Sequence, residues 1–215
     1  MKSIKLKFSL LLIISSLAFI GCKKDFGDAS KITYLPNIEL LGSENVFIVA
    51  GDTYVESGAS ADVNGTPIDY TISGTVDTTT PGVYVLSYLA TNSDGFSASV
   101  ERTVFVLDHA FVPGSAELTG TYKRSANNRQ SIVTKLADGV YKMSDAWGSA
   151  SSGGQPLPVP AYLFCTDGVN IIMPQVSTVF GRMEGTGTFN GTQMAIYTVL
   201  LDQGPFARTN TWIKQ

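Results

Sequence analysis

Between Leu35 and the C-terminus, apolar side chains recur at every second position, and Gly, Pro, Asn and Asp gather between the runs. Alternation at period two turns one face of an extended chain toward a core and the other toward water, so the pattern predicts strands and no helices. In the first half the predicted strands are residues 38–40, 46–49, 59–62, 70–73, 83–91 and 98–107. Tyr84, Leu86, Tyr88 and Ala90 share one face of the fifth strand. Val100, Val104 and Val106 share one face of the sixth, which Arg102 interrupts. Those two faces are the expected core of a small sandwich. In the second half the predicted strands are residues 118–123, 131–136, 140–144, 161–166, 169–173, 185–189, 194–201 and 209–214. Ala137-Asp138-Gly139, Asp167-Gly168 and Asn190-Gly191 predict tight hairpins between them. Antiparallel strands joined in sequence order form a meander that either closes into a barrel or packs as a sandwich.

The break between the halves falls at His109-Ala110-Phe111-Val112-Pro113-Gly114-Ser115, where Pro and Gly end the alternation. This divides the chain into a first domain at 35–108, a linker at 109–115 and an antiparallel β domain at 116–215. Within the second domain, Asp145-Ala146-Trp147-Gly148 and the Ser, Gly and Pro residues up to Pro160 make a connection longer than a compact β domain needs. An aromatic ring in such a loop can stack on the apolar face of a sugar, with Asp145 and Gln155 bonding its hydroxyls. Trp147, Asp145 and Gln155 are therefore the candidate ligand-binding residues. The alternative is that Trp147 folds back to plug the mouth of the β domain. Trp212, in the final strand, is expected in the core.

The N-terminal segment follows a different pattern. Lys2, Lys5 and Lys7 precede the run from Phe8 to Ile20, interrupted only by Ser9, Ser15 and Ser16. That run is too short and wrongly flanked for a permanent membrane span and reads as an export signal. Its end, Leu17-Ala18-Phe19-Ile20-Gly21-Cys22, resembles the bacterial lipobox, with Phe19 where the family prefers Leu. The resemblance implies that residues 1–21 are a lipoprotein signal peptide and that Cys22 takes a diacylglyceryl group. Residues 22–34 would then be a lipidated tether, because two or more acyl chains hold a protein firmly on a bilayer. Lys23-Lys24-Asp25 is similar to the charged export tag of surface lipoproteins in the Bacteroidetes, which implies an outer-membrane, surface-exposed placement. An ordinary cleaved signal with an incidental cysteine is the alternative.

A second resemblance lies in four ordered pieces of the first domain: Tyr54-Val55-Glu56-Ser57-Gly58-Ala59, Ser73-Gly74-Thr75-Val76-Asp77-Thr78, Pro81-Gly82-Val83-Tyr84 and Arg102-Thr103-Val104-Phe105-Val106. Together they resemble the bacterial immunoglobulin-like domain first described in an insecticidal crystal protein. This implies an immunoglobulin-like sandwich serving as a spacer or carbohydrate-adjacent module, with no catalytic residues. The fold class expected of the chain is thus all-β, an N-terminal immunoglobulin-like sandwich followed by an antiparallel β-barrel or sandwich. Lipobox, immunoglobulin-like domain and C-terminal β domain in this order are similar to small Bacteroides lipoproteins often associated with polysaccharide-use systems. Asp77-Thr78-Thr79 also resembles the O-glycosylation motif of exported Bacteroidetes proteins, which makes Thr78 a candidate for modification; a turn leading to Pro81 explains it equally.

Charge and reactive residues narrow the function classes. The chain has 15 Lys and Arg against 18 Asp and Glu, and removing the three leader lysines makes the remainder more acidic still. This argues against a nucleic-acid partner, which selects clustered cations. With Cys22 acylated, Cys165 has no partner, so no internal disulfide is expected, and Cys165 reads as a small core residue. The lone His109 lies in the linker, which leaves neither a His-based triad nor a two-His metal site. The scattered acids Asp52, Glu56, Asp62, Asp77 and Asp94 form no calcium-loop spacing. Asp138, Asp145, Asp167, Glu184 and Asp202 have the residue type of a glycosidase pair, yet several fall in turns. No enzyme, cofactor or metal is expected. The expected function is a cell-surface, lipid-anchored glycan-binding module partnered by the membrane through Cys22. A structural or protein-interaction lipoprotein of an outer-membrane assembly is the alternative.

Overall fold

The computed structural model describes residues 32–148, 157–204 and 206–215; Cys22, the leader, most of the tether and Gln155 lie outside these. The described elements are all strands. β1 (Asn37–Leu40) pairs antiparallel with β3 (Ala59–Val63), which turns into β4 (Thr66–Pro67), a strand too short to register as alternation. Facing them is a four-stranded sheet in the order β2 (Asn45–Val49), β7 (Ser97–Leu107), β6 (Gly82–Thr91) and β5 (Tyr70–Ser73), with β2 running parallel to β7. The β6–β7 hairpin is turned by Asn92, whose Oδ1 accepts from the amides of Asp94 (3.0 Å) and Phe96 (2.8 Å). This side-chain mimic of a backbone turn is the reason Asn and Asp mark such positions.

Ile38, Ala59, Ala61, Leu86, Tyr88 and Ala90 form the sandwich core. Arg102 does not end that core; it is buried within it, 1 % exposed. Its guanidinium is ion-paired to Glu56 and donates to the carbonyls of Leu41 (2.5 Å) and Gly58 (3.2 Å). Glu56 also accepts from the Tyr54 hydroxyl and from the Gly58 amide (2.7 Å). Burial alone would raise the Glu56 carboxyl, but hydrogen bonds from Tyr54 and Gly58, with the charge of Arg102, hold it below its ordinary range. The sequence motif containing Glu56 and the one containing Arg102 therefore meet as one buried, charge-assisted cross-tie between β7 and the segments flanking β1 and β3.

The second half resolves the choice between barrel and sandwich: it closes. β8 (Gly120–Arg124), β9 (Gln130–Ala137), β10 (Val140–Met143), β11 (Ala161–Phe164), β12 (Asn170–Thr178), β13 (Gly181–Phe189), β14 (Gln193–Leu200) and β15 (Phe206–Lys214) each pair antiparallel with the next. β15 returns to β8 through Trp212↔Arg124, Ile213↔Lys123 and Lys214↔Tyr122, which leaves the sheet no free edge. β12 and β13 are longer than the alternation predicts. Their register shifts between Met173 and Val176, where Pro174 lacks an amide to donate, and a bulge of this kind hides a continuing strand from a period-two reading. Tyr122, Tyr141, Met143, Leu163, Met173, Phe189 and Trp212 fill the interior, so this barrel is a packed core rather than a hollow calyx.

The two domains share a third apolar cluster. Phe105 and Leu107 at the end of β7 pack with Val140 and Phe164 of the barrel, flanked by Phe47, Val83, Tyr162 and Ile172. The Phe105 ring stacks on Phe47 (5.0 Å between centroids) and meets Tyr162 edge-on (5.1 Å). His109 hydrogen-bonds Thr166 of the barrel (2.6 Å), and the Val112 amide donates to the Thr166 carbonyl (2.8 Å). Residues Leu35–Gln215 accordingly form one compact unit.

Candidate ligand-binding site

Where the sandwich meets the barrel wall, a groove of about 590 Å³ opens between the start of β6 and the outer faces of β12, β13 and β14. Its size falls in the range of small-ligand sites. Tyr84 forms one side. Its hydroxyl donates to the Thr80 carbonyl (2.8 Å), and a Cβ at Gly82 would sit 3.3 Å from the ring, so the ring lies flat on the Gly82 backbone. Burial, then the nearby charge of Asp77, raises the Tyr84 phenol, which stays neutral at physiological pH. Tyr197 forms the other side, 49 % exposed on the outer face of β14 and paired across the ladder with Thr186. Between the rings, Gln175, Glu184 and Thr186 are exposed polar groups. Two aromatic faces, a carboxylate, an amide and a hydroxyl can together hold a polyhydroxylated ring.

The residues that the loop pattern singled out lie elsewhere. Trp147 is buried, 5 % exposed, folded back into the barrel mouth. The Arg208 guanidinium covers one face of its ring at 3.7 Å, and Phe206 packs at 5.7 Å. Its geometry is that of the plug and not of an open stacking platform. Asp145, 2 % exposed, organises the same plug: it accepts from the amides of Gly148 (2.9 Å) and Val159 (3.2 Å) and from Arg129 Nε (2.9 Å). Asp145 is thus fully engaged in folding the loop. Gly148 stands at φ +60°, and a Cβ there would lie 2.7 Å from Arg124 and 2.8 Å from Trp212, so only glycine fits. Gln155 lies outside the described residues.

Around the plug, three arginines face one acid. Arg129 pairs with Asp145. Arg124 donates to Asn210 Oδ1 (3.0 Å) and to the Gly148 carbonyl (3.1 Å), while Arg208 donates to the Trp147 carbonyl. Desolvation, then repulsion from Arg124, pushes Arg208 down to about 10. Period two hid this cluster because Arg124, Arg208 and Asn210 sit at inward positions of β8 and β15 where apolar residues are expected.

The remaining candidates have local roles. Thr78 is half-buried and its carbonyl accepts from the Gly51 amide (2.8 Å). Asp77 caps the following turn through the Thr79 hydroxyl (2.6 Å) and amide (2.9 Å), which holds its carboxyl down at about 2. Cys165 is fully buried and unpaired, and burial pushes its thiol up to about 11. Asp138 pairs with Lys135 and Asp202 with Arg182, while Asp167 caps the Gly168 turn through the amides of Val169 and Asn170. Of the five candidate glycosidase acids, Glu184 alone lines the groove. Among the described residues no three His, Cys, Asp or Glu side chains converge as a metal site would require.

Fold and site define a class: an immunoglobulin-like domain packed against a closed eight-stranded up-and-down barrel. Residues 38–106 match the family of bacterial surface protein immunoglobulin-like domains. No curated protein matches the chain. Among solved structures, the crystal structure of a lipoprotein from Bacteroides thetaiotaomicron matches at 24% identity and a TM-score of 0.42, covering 84% of this chain and 100% of that one.

Proposed function

We propose that the protein is a lipid-anchored, surface-exposed binding module of the outer membrane that holds a glycan in the groove between its two domains. The observation that carries this reading is the pairing of Tyr84 and Tyr197 across a groove furnished with Gln175, Glu184 and Thr186. The rings supply flat apolar faces for the C–H face of a sugar, and the polar trio supplies donors and acceptors for its hydroxyls. The lipobox resemblance at Cys22 and the surface-protein family of the first domain support the placement. Because the apolar cluster around Phe105 fixes sandwich to barrel, both walls of the groove are preorganised, which lowers the entropy lost on binding.

A glycan array probed with the wild-type protein and with Tyr197→Ala tests this. Saturable binding that falls at least tenfold in the variant is expected. Silence of the wild type on glycans, with co-purification of outer-membrane proteins, would replace the reading with that of a structural or protein-interaction lipoprotein. Palmitate labelling of the wild type and its absence in Cys22→Ala tests the anchor separately.

A further inference from the structure

The barrel mouth lies on the inner side of the wall whose outer side forms the groove, and it has a charge imbalance that the fold leaves open. Arg124, Arg129 and Arg208 converge on the plug, and Asp145 is the sole carboxylate paired with any of them among the described residues. Residues 149–156, outside the described residues, contain no Asp or Glu. Half-buried cations without a counter-charge are costly, and a fold that required none could place Leu or Met at these inward positions.

A second observation is independent of charge. Arg208 Nε is buried and has no hydrogen-bond partner among the described residues. Thr198, fully buried and directly across the β14–β15 ladder from Arg208, likewise leaves its hydroxyl unpartnered. Buried polar groups in folded proteins are nearly always satisfied. Other buried polar atoms among the described residues also lack a partner, Arg102 Nε and Tyr88 Oη of the sandwich included, but Arg208 and Thr198 are the two that stand opposite each other on facing strands, beside a second arginine without a carboxylate, where a guest would supply the acceptor. Arg124 and Arg208 are only half-buried, which leaves the mouth reachable from solvent.

The geometry points to an oxyanion site at the barrel mouth, in which Arg208 and Arg124, with the Thr198 hydroxyl, bind a carboxylate or sulfate group. An oxyanion offers several acceptor oxygens in one plane or tetrahedron, which suits a guanidinium fork better than chloride does. The stacking of Arg208 on Trp147 gives the site a reporter, because any shift of the guanidinium changes the surroundings of the indole. This site does not depend on the glycan groove: Tyr197 points out of the wall and Thr198 into it.

The test is a tryptophan-fluorescence titration of the purified protein with sodium sulfate and with sodium glucuronate, against sodium chloride at equal ionic strength. A saturable response to sulfate, glucuronate or both is expected, at least tenfold weaker in Arg208→Met and unchanged in Arg182→Gln. A response to sulfate alone assigns the natural group to sulfate esters, and a response to glucuronate alone assigns it to uronic acids. Should Arg208→Met not fold, Arg124→Met carries the same expectation. An identical response to chloride, no response to either oxyanion, or wild-type binding in a folded arginine variant overturns the proposal.

Discussion

Both domains turn an arginine inward from a β strand, and they treat its charge in opposite ways. Arg102 of the sandwich is 1 % exposed, is ion-paired to Glu56 and donates to two carbonyls. Although burial opposes it, hydrogen bonding to Tyr54 and the charge of Glu56 hold its guanidinium above the usual value. Arg208 of the barrel has a carbonyl and an indole face but no carboxylate, and its guanidinium is pushed down. Both leave Nε without a partner, so the difference lies in the counter-charge: the fold neutralises Arg102 with Glu56 and gives Arg208 no ion-paired carboxylate among the described residues.

Reading the two arginines separately requires uncoupling the domains, and the largest effect is expected there. Phe105→Ala removes a fully buried ring from the seam and should lower stability by about 3–5 kcal/mol. Urea unfolding followed by domain-specific probes should then show two transitions in place of one. Next in size, Glu56→Gln leaves Arg102 buried without its counter-charge and should cost about 3 kcal/mol in the sandwich transition. The same substitution should flatten the acid limb of the stability–pH curve. The Glu56 carboxyl is held low in the folded state, so its contribution is complete above the unfolded carboxylate value of about 4.3 and is lost as pH falls through the folded value. At the alkaline end, burial and then the bond to Glu56 push Tyr54 up to about 12. Its contribution is therefore present below the unfolded phenol value of about 10 and is lost as pH rises toward the folded one.

In the barrel the expected losses are smaller. Gly148→Ala forces a left-handed backbone and a contact with Trp212 and Arg124, and should destabilise the barrel transition by about 2 kcal/mol. Arg208→Met keeps an apolar stem over Trp147 and removes an unneutralised charge, so thermal unfolding without added oxyanion should change by no more than about 1 kcal/mol. A loss as large as that of Glu56→Gln would erase the distinction between the two arginines.

Most of the fold was legible because alternation and turn chemistry agree. The turns at Gly139, Gly168 and Gly191, all with positive φ, stand where Asp-Gly and Asn-Gly pairs announced them. What alternation could not show was closure, since Trp212↔Arg124 pairing joins residues far apart in sequence. The groove was illegible for a related reason: its residues come from both domains, Tyr84 reads as core and Tyr197 as an ordinary strand residue, and Gln175 and Glu184 fall outside the strands that alternation predicts. Trp147 stood out as an aromatic in a polar loop, but nothing local announced that Arg208, on the last strand, would cover it. Arg102 appeared as an interruption because its partner Glu56 lies in the irregular segment before β3, which carries no periodicity.

The difference between the two arginines can be read directly from side-chain Nε–H resonances in a ¹H–¹⁵N spectrum recorded while sodium sulfate or glucuronate is added at constant ionic strength. A saturable shift of the Arg208 resonance with Arg102 unmoved is the expected result. Stationary resonances for both, or equal drifts that follow salt alone, would show that the barrel arginine is as self-contained as the one in the sandwich.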